Sequence, residues 1–398
     1  MTDYENNEEI KIFREYLRIP TVHPNIDYEP CVTFLERLAA KIGLDFEVIR
    51  IFPKKPIVVM TWKGTNSDLP TIFLNSHTDV VPVFEEHWSH PPFAAEIDNE
   101  GKIYARGAQD MKCIGMQYLT AIKALKSSGF VPKRTVYVTF VPEEEIGGAG
   151  GMKDFVKSQY FEKMNVGVAL DESAAYPGDA IMLFYAERPS WRMKFVINGS
   201  AGHGSLLIPN TVGEKIRKLL DRVDDYRNSQ MTLLEKNPFL GYSDCTSINL
   251  TLMEGGLQSN VIPSQATLVF DSRLSINTDH EEFEEMLNRW CAEAGGDITI
   301  EYEIKEPYVA PTPVDDSNIF WKHLKEACDE LNLNLLVMVC PAGTDARFIR
   351  EKNIPAFGFS PMPNTPILLH DHDEYIKADV YLKGIEIYEK VIQKLANC

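Results

Sequence analysis

The chain has 398 residues, of which 44% are hydrophobic and 25% charged, so general disorder is excluded and about two or three domains are expected. Its 58 Asp and Glu residues exceed its 40 Lys and Arg residues, and a net charge of −18 makes nucleic acid and anionic membrane surfaces unlikely partners. The seven cysteines form no Cys-x-x-Cys pair, and no apolar run approaches the roughly 20 residues of a bilayer-spanning helix, so we expect a cytoplasmic protein with reduced thiols.

The first half of the chain alternates helical and strand-like segments. The apolar spacing predicts helices over Glu8–Leu17, Pro30–Lys41 and Met111–Ser128. Short apolar runs predict strands over Ile57–Trp62, Thr71–Asn75, Thr135–Val141 and Val166–Leu170. This alternation is typical of an α/β fold in which helices cover both faces of a mixed sheet.

The pattern changes between about residues 189 and 306. Here the predicted elements follow the order β-α-β-β-α-β, which is the ferredoxin-like plan: Trp191–Asn198, Thr211–Arg227, Ser247–Met253, Gln265–Leu274, His280–Ala294 and Ile298–Ile304. The first pattern then returns, with predicted elements at Ser317–Leu331, Leu335–Cys340, Pro355–Phe359 and Ala378–Leu395. We therefore expect one α/β domain, residues 1–188 and 307–398, interrupted by an inserted α+β domain, residues 189–306.

Acidic residues and a histidine follow three of the predicted strands. His77 and Asp79 come after the second strand, where a separation of two residues places both side chains on one face. The Asp79 carboxylate could then accept the second ring N–H of His77 and fix the tautomer that binds a metal. The run Glu143–Glu145 and the pair Asp171-Glu172 follow the next two strands. Since ligand sites in α/β sheets form beyond the carboxyl ends of strands, these side chains could meet at one edge.

Two loops add further candidates. A glycine-containing loop brings Asp110 to the start of a predicted helix, and His370 lies in an acidic loop before the last helix. Taken singly, such residues are more often a core histidine, a helix N-cap or a solvated acidic turn. Taken together they favour a divalent cation, and the mixture of imidazole and carboxylate suits zinc, or less decisively manganese or cobalt.

The motifs at these positions resemble those of the M20 group of di-zinc peptidases and amidohydrolases, over nearly the whole chain. They are His77-Thr-Asp79-Val-Val-Pro-Val, Tyr-Ala-Arg-Gly-Ala-Gln-Asp110-Met-Lys, Phe-Val-Pro-Glu-Glu144-Glu145-Ile-Gly-Gly, Leu-Asp-Glu172 and Leu-Leu-His370-Asp-His-Asp-Glu. The resemblance implies a zinc-peptidase-like catalytic domain, with the inserted domain serving as lid and dimerisation surface.

The resemblance also implies a role for each of these side chains. Five would hold two Zn²⁺ ions: His77 and Glu172 at one ion, Glu145 and His370 at the other, and Asp110 bridging both. Glu144 would be the general base, Asp79 would orient His77, and the peptide bond after Asp110 would be cis.

The implied activity is hydrolysis of N-acyl-L-amino acids to a carboxylate and a free L-amino acid. A dipeptidase of the same fold is the alternative, and a non-catalytic relative is disfavoured because Glu144 is present. The substrate carboxylate calls for arginine, whose planar fork pairs with two oxygens. The residues of the family's substrate-contacting segments are Arg273, Arg347, Asn260, Gly343 and Thr344. Which arginine binds the carboxylate stays open.

His203 lies between two glycines in the inserted domain. In relatives the matching histidine reaches the active site of the partner subunit and stabilises the oxyanion, so the resemblance implies a homodimer. His23 and four other histidines lie in no comparable motif, and no role is assigned to them.

Overall fold

The computed structural model describes residues 4–237 and 241–398. The helices of these residues are α1 Glu8–Leu17, α2 Glu29–Ile42, α3 Lys112–Ser127, α4 Met152–Phe155, α5 Gln159–Lys163, α6 Val212–Lys236, α7 His280–Glu293, α8 Ile319–Glu330, α9 Ala346–Arg350 and α10 Ala378–Asn397. The strands are β1 Asp45–Phe52, β2 Lys55–Trp62, β3 Thr71–His77, β4 Glu96–Ile97, β5 Lys102–Tyr104, β6 Val136–Val141, β7 Val166–Asp171, β8 Ala180–Glu187, β9 Ser190–Asn198, β10 Gly202–His203, β11 Ser247–Gly255, β12 Val261–Ile262, β13 Gln265–Arg273, β14 Ile298–Lys305, β15 Asn334–Cys340, β16 Ala356–Phe359 and β17 Tyr375–Lys377.

The chain divides into two compact units. The first contains Met1–Tyr185, Pro311–Met338 and Thr344–Cys398, and the second contains Ala186–Ala310 and Val339–Gly343. A mixed sheet with the strand order β1-β2-β6-β3-β7-β16-β8-β15 dominates the first unit. Within it β3 runs parallel to both of its neighbours, β6 and β7. The mixed α/β fold predicted from the alternating pattern is therefore confirmed.

Helices α3 and α10 pack closely against each other within the first unit. Gly384 of α10 makes this approach feasible, because a Cβ at that position would lie 2.0 Å from Nε2 of Gln117 on α3. The Gln117 side chain in turn donates a hydrogen bond to the Tyr381 carbonyl. The ring of Tyr381 stacks on Phe13 of α1 at 4.3 Å, so three helices share one apolar layer.

The second unit contains an antiparallel sheet with the order β11-β13-β9-β14. Its core contains Trp191 and Phe195 of β9 together with Phe283 and Trp290 of α7. Strand β11 lies at the edge of this sheet, where it pairs with β13 on one side. Seven of its nine residues are exposed in the described chain.

Two strands of the large sheet were missed, as were five strands of two or three residues elsewhere, and one helix was predicted too short. Strand β1 lies at the sheet edge, and charged residues interrupt its apolar ones, so no continuous apolar run marked it in the sequence. Strand β8 was also missed, although it is mostly buried. Helix α6 continues to Lys236 rather than ending at Arg227. Its last turns are mostly polar and exposed, so no apolar stripe marked them in the sequence. No helix of the described residues is long and apolar enough to cross a membrane.

Candidate metal centre

Three neighbouring strands bring the predicted acidic residues and one histidine to the same edge of the large sheet. His77 is the last residue of β3, Glu144 and Glu145 follow β6, and Glu172 follows β7. Because these three strands are adjacent and parallel, their carboxyl ends meet. The turn after β6 begins at Glu143, which has a left-handed backbone with φ of 70°. This conformation is uncommon for a residue other than glycine, and it turns the chain sharply before Glu144.

His77, Asp110 and Glu172 form a first group of candidate ligands. Nε2 of His77 lies 2.9 Å from Oδ1 of Asp110 and 3.5 Å from Oε1 of Glu172. All three residues are buried. The peptide bond that follows Asp110 is cis, as the motif resemblance implied.

Asp110, Glu145 and His370 form a second group, which uses the other oxygen of Asp110. Nε2 of His370 lies 3.2 Å from Oδ2 of Asp110 and 3.0 Å from Oε2 of Glu145. The donor atoms of each group lie within 4.8 Å of one another. Each group offers one imidazole nitrogen and two carboxylate oxygens, which is a donor set that binds divalent transition metals. Sharing of Asp110 fits two ions held side by side.

The three glutamates of the site, Glu144, Glu145 and Glu172, lie in surroundings that disfavour their charged forms. Burial raises the pKa of Glu172 well above its ordinary value, and the charge of Asp110 adds to the shift. Burial likewise raises the pKa of Glu144, with a further contribution from Glu172. Burial and Asp110 raise the pKa of Glu145. A bound cation would reverse this cost, since it favours the ionised carboxylates.

The histidines respond to the same carboxylates. Hydrogen bonds to Asp110 and then to Glu145 raise the pKa of His370 to about 10. Burial would raise the pKa of Asp110, but hydrogen bonds from His370 and His77 outweigh it and lower that pKa. In the absence of a cation, protons on the imidazoles thus supply the positive charge that the site requires.

Asp79 contacts His77 through a different atom from the one expected. The ring nitrogen Nδ1 of His77 lies 2.9 Å from the main-chain carbonyl oxygen of Asp79 but 3.8 Å from the carboxylate oxygen Oδ1. The carboxylate instead accepts the main-chain N–H groups of Glu144, at 3.2 Å, and Glu145, at 3.1 Å. The His77 tautomer is therefore fixed by a backbone group, and the Asp79 side chain positions the glutamate turn.

Comparison with known protein families shows to which family the chain belongs. The sequence profile of the family described as "Peptidase family M20/M25/M40" matches residues 73–394. The chain belongs to this family. It is accordingly an amidohydrolase, and the M20 resemblance of the motifs is confirmed.

Relatives in the family match the chain from end to end. Aminoacylase-1 of Mus musculus is 47% identical over 388 residues, which cover 98% of this chain and 95% of that protein. Aminoacylase-1 of Dictyostelium discoideum is 40% identical over 411 residues and covers 100% of both chains. The solved structure of the Bacillus subtilis YXEP protein, described as a dinuclear metal-binding peptidase from the M20 family, has a TM-score of 0.69 at 17% identity, covering 97% of this chain and 96% of that chain. This last likeness shows the shared fold.

The predicted substrate-binding residues of this M20 family member fall in both units. Arg347 and the buried Thr344 belong to the first unit, where the Arg347 side chain donates to the Thr344 carbonyl at 2.9 Å. The charge of Arg347 lowers the pKa of Glu144, an effect smaller than the opposing effects of burial and Glu172. Arg273, Asn260 and Gly343 belong to the second unit. There Arg273 donates to Asp271 at 3.1 Å.

His203 of the second unit is exposed on the short strand β10, which pairs with β12. Its Nδ1 accepts the main-chain N–H of Ser205 at 3.2 Å and lies 2.7 Å from the Ser205 hydroxyl oxygen. The next residue, Gly204, donates its N–H to the Asn260 carbonyl at 2.8 Å. Because Nδ1 acts as an acceptor, the neutral ring carries its proton on Nε2.

Two supporting residues were missed in the sequence. The carboxylate of Glu374 is fully buried and accepts N–H groups from the loop that ends at Asp110. Nε2 of His23 lies 2.9 Å from Oδ2 of Asp79. The acidic run around His370 hinted at Glu374, whereas His23 stands alone in the sequence and no signal pointed to it.

Proposed function

We propose that this chain is a two-zinc aminoacylase, which hydrolyses N-acyl-L-amino acids to a carboxylate and a free L-amino acid. The observation that carries the proposal is the pair of ligand groups joined by Asp110, next to the partly buried Glu144. The substrate class is supported by the 47% identity to mouse aminoacylase-1 over nearly the whole chain.

The proposed zinc ligands are the two groups described above. His77, Glu172 and one oxygen of Asp110 would hold one ion, and Glu145, His370 and the other oxygen of Asp110 would hold the second. The mixed imidazole and carboxylate donors support zinc, and the dinuclear relative from B. subtilis supports two ions. Two such ions, once bound there, would polarise an amide carbonyl and lower the pKa of a water molecule to near neutral.

Glu144 is the proposed general base. Its carboxylate would take a proton from the attacking water and deliver it to the nitrogen of the departing amine. Its location supports this role, because it is adjacent to the ligand Glu145 but belongs to neither ligand group. Its buried surroundings raise its pKa, which favours holding a proton until the amine leaves.

Asp79 is proposed to position this base and one metal ligand. Its carboxylate accepts the main-chain N–H of Glu144 and Glu145, and its carbonyl accepts the ring N–H of His77. A single residue thereby ties the base to a histidine ligand.

The substrate carboxylate is proposed to bind an arginine. Arg347, which follows Gly343 and Thr344 in the sequence, is supported because its charge lowers the pKa of Glu144. Arg273 and Asn260 are the candidates from the inserted domain.

We further propose that the inserted domain, residues 189–306 between the catalytic segments 1–188 and 307–398, is a ferredoxin-like lid that forms a homodimer. Its order of strands and helices supports the plan. The exposed apolar side chains of edge strand β11, Leu250, Leu252 and Met253, support a partner there.

His203 of this domain is proposed to donate its Nε2 proton to the oxyanion in the active site of the partner subunit. Its Nδ1 contact with Ser205 supports that tautomer. The free cysteines of the described chain support a reducing compartment, for which we propose the cytoplasm.

A matched pair of substrates tests the function. The purified chain, loaded with zinc, should hydrolyse an N-acetyl-L-amino acid faster than the glycyl dipeptide of the same amino acid. The two substrates differ mainly by one amino group, so their ratio of kcat/KM separates an aminoacylase from a dipeptidase. A chelator should abolish the activity and added metal should restore it. Faster cleavage of the dipeptide, or activity that survives metal removal, would contradict the proposal.

A further inference from the structure

We propose that His23 is a positioning residue for the general base, acting through the carboxylate of Asp79. The inference rests on the proposed role of Glu144. Nε2 of His23 lies 2.9 Å from Oδ2 of Asp79, and the two side chains are only 9% and 0% exposed. An ionised carboxylate can only accept hydrogen bonds, so this short contact requires the proton to be on Nε2 of His23.

The Asp79 carboxylate is the point at which His23 meets the catalytic turn. Oδ1 accepts the N–H of Glu144, while Oδ2 accepts both the N–H of Glu145 and the ring proton of His23. Within the described chain, His23 is thus the one side chain that donates a hydrogen bond to this carboxylate, because Nδ1 of His77 lies 3.8 Å from Oδ1. Loss of the His23 donor would free the carboxylate to rotate about its terminal torsion, which is soft.

The backbone holds His23 in register with Asp79. Residues 21–23 run alongside residues 79–81, with a parallel bridge between Val22 and Val80. The N–H of Val80 donates to the Thr21 carbonyl at 2.9 Å, and the N–H of His23 donates to the Val80 carbonyl at 3.2 Å. The imidazole is therefore presented by a segment whose backbone is hydrogen-bonded to Val80, the residue after Asp79.

The consequence concerns the backbone of the glutamate turn, where Asp79 holds the N–H groups of Glu144 and Glu145, rather than the donor atoms that would bind metal. His23 belongs to neither ligand group, and the metal ligands reach the site from other elements. Small displacements of a catalytic group are costly, and about 1 Å can lower the rate by up to about 100-fold. His23 would therefore influence kcat, with little effect on KM or on the number of metal ions bound.

Substitutions at His23 can separate positioning from simple packing. In the zinc-loaded full chain, we expect His23→Ala to lower kcat about tenfold with KM changed by less than twofold. His23→Gln, which places an amide N–H near the position of Nε2, should recover most of kcat. His323→Ala is the matched control, because His323 is a partly exposed histidine whose Nδ1 lies 3.0 Å from the Ile319 carbonyl oxygen of its own helix.

Hydrogen exchange provides a readout that does not depend on the activity. Exchange of the amides of Glu144 and Glu145 should be faster in His23→Ala than in His23→Gln, because the Asp79 acceptor is released in the first variant only. If His23→Ala does not fold, His23→Asn, which is too short to reach Oδ2 of Asp79, replaces it. Equal kcat and equal exchange in the alanine and glutamine variants would overturn the inference. Inactivity of the wild-type chain together with the expected exchange difference would overturn the proposed function alone.

Discussion

Glu374 and Arg106 form an ion pair that is buried beneath the loop carrying Asp110. Nη1 of Arg106 lies 2.8 Å from Oε2 of Glu374, and the two side chains are 3% and 0% exposed. The same carboxylate accepts the N–H groups of Gly107 at 3.1 Å and Gln109 at 2.6 Å. Since Glu374 follows His370 by four residues, it ties the loop of one proposed ligand to the loop of another.

Neutralising Glu374 should therefore destabilise the fold. In Glu374→Gln the guanidinium of Arg106 would remain buried without its counter-charge, and breaking a buried pair in this way costs about 3–5 kcal/mol. Burial raises the pKa of Glu374 to about 7, so the change in the free energy of unfolding is measured by denaturant unfolding of the metal-free chain at about pH 8.5, where this carboxyl is ionised. Glu386→Gln is the matched control, since Glu386 pairs with Lys383 on the surface, and we expect less than about 1 kcal/mol there. Equal effects of the two substitutions would show that the buried pair is not an anchor.

The general base can be distinguished from the ligand next to it. Glu144→Gln should lower kcat at least about 100-fold while the chain keeps its full content of zinc, because an amide cannot take a proton from water. Glu145→Gln should instead reduce the zinc content, since Glu145 is the residue of the pair within 3.0 Å of His370. Metal analysis of the two dialysed variants beside their activities is the measurement. Loss of zinc in Glu144→Gln would make that residue a ligand.

The sequence predicted the centre of the site better than its surroundings. His77 and the acidic runs that contain Glu145 and Glu172 stood out because each lies at the end of a strand, and a parallel sheet brings strand ends together. The motif resemblance then indicated which side chains of these runs are the proposed ligands. Glu374 and His23 were not found, because their contacts join residues 268 and 56 positions apart and leave no local pattern. The misassigned atom of Asp79 has the same cause: a spacing of two residues fixes a face but does not decide between a carbonyl and a carboxylate oxygen.

Metal stoichiometry should follow the sharing of Asp110. Its two oxygens face different histidines, so Asp110→Ala should remove both zinc ions, whereas His370→Ala should remove one. His372→Ala is the control for the same loop, because His372 belongs to neither ligand group. Elemental analysis after dialysis gives the number of ions per chain. Retention of one ion in Asp110→Ala would show that the two groups bind independently of that carboxylate.

Substrates with and without a carboxylate should show which of the two candidate arginines binds the substrate carboxylate. If Arg347 binds the substrate carboxylate, Arg347→Lys should raise KM for an N-acetyl amino acid, because lysine lacks the two-pronged geometry of guanidinium. The same variant should leave kcat/KM unchanged for the corresponding N-acetyl amino acid amide, which has no carboxylate to bind. Arg273→Lys is measured in parallel with both substrates. A carboxylate-specific loss in Arg273→Lys alone would assign the contact to the inserted domain.

The metal-free chain should lose stability as the pH rises from about 6.5 to about 10. The pKa of His370 is raised from 6.5 to about 10 by Asp110 and Glu145, so the folded chain binds more protons than the unfolded chain in this window. The contribution is fully present below pH 6.5 and is lost as the pH passes through the folded pKa. Glu172, whose pKa is also raised, acts in the same direction, whereas the lowered pKa of Asp110 acts only below pH 3.8. Burial lowers the pKa of Lys112 to about 8, which opposes the decline above that pH, so the contribution of His370 is read from its difference from His370→Ala.

Thermal unfolding across this pH range tests the sign of the effect. The decline should be smaller with saturating zinc, because the ions then supply the positive charge that protons supply in the metal-free chain. It should also be smaller in metal-free His370→Ala, which lacks the titrating imidazole, and His323→Ala should behave as the wild type. A metal-free chain that becomes more stable between pH 6.5 and 10 would mean that the carboxylates around Asp110 do not require a positive partner.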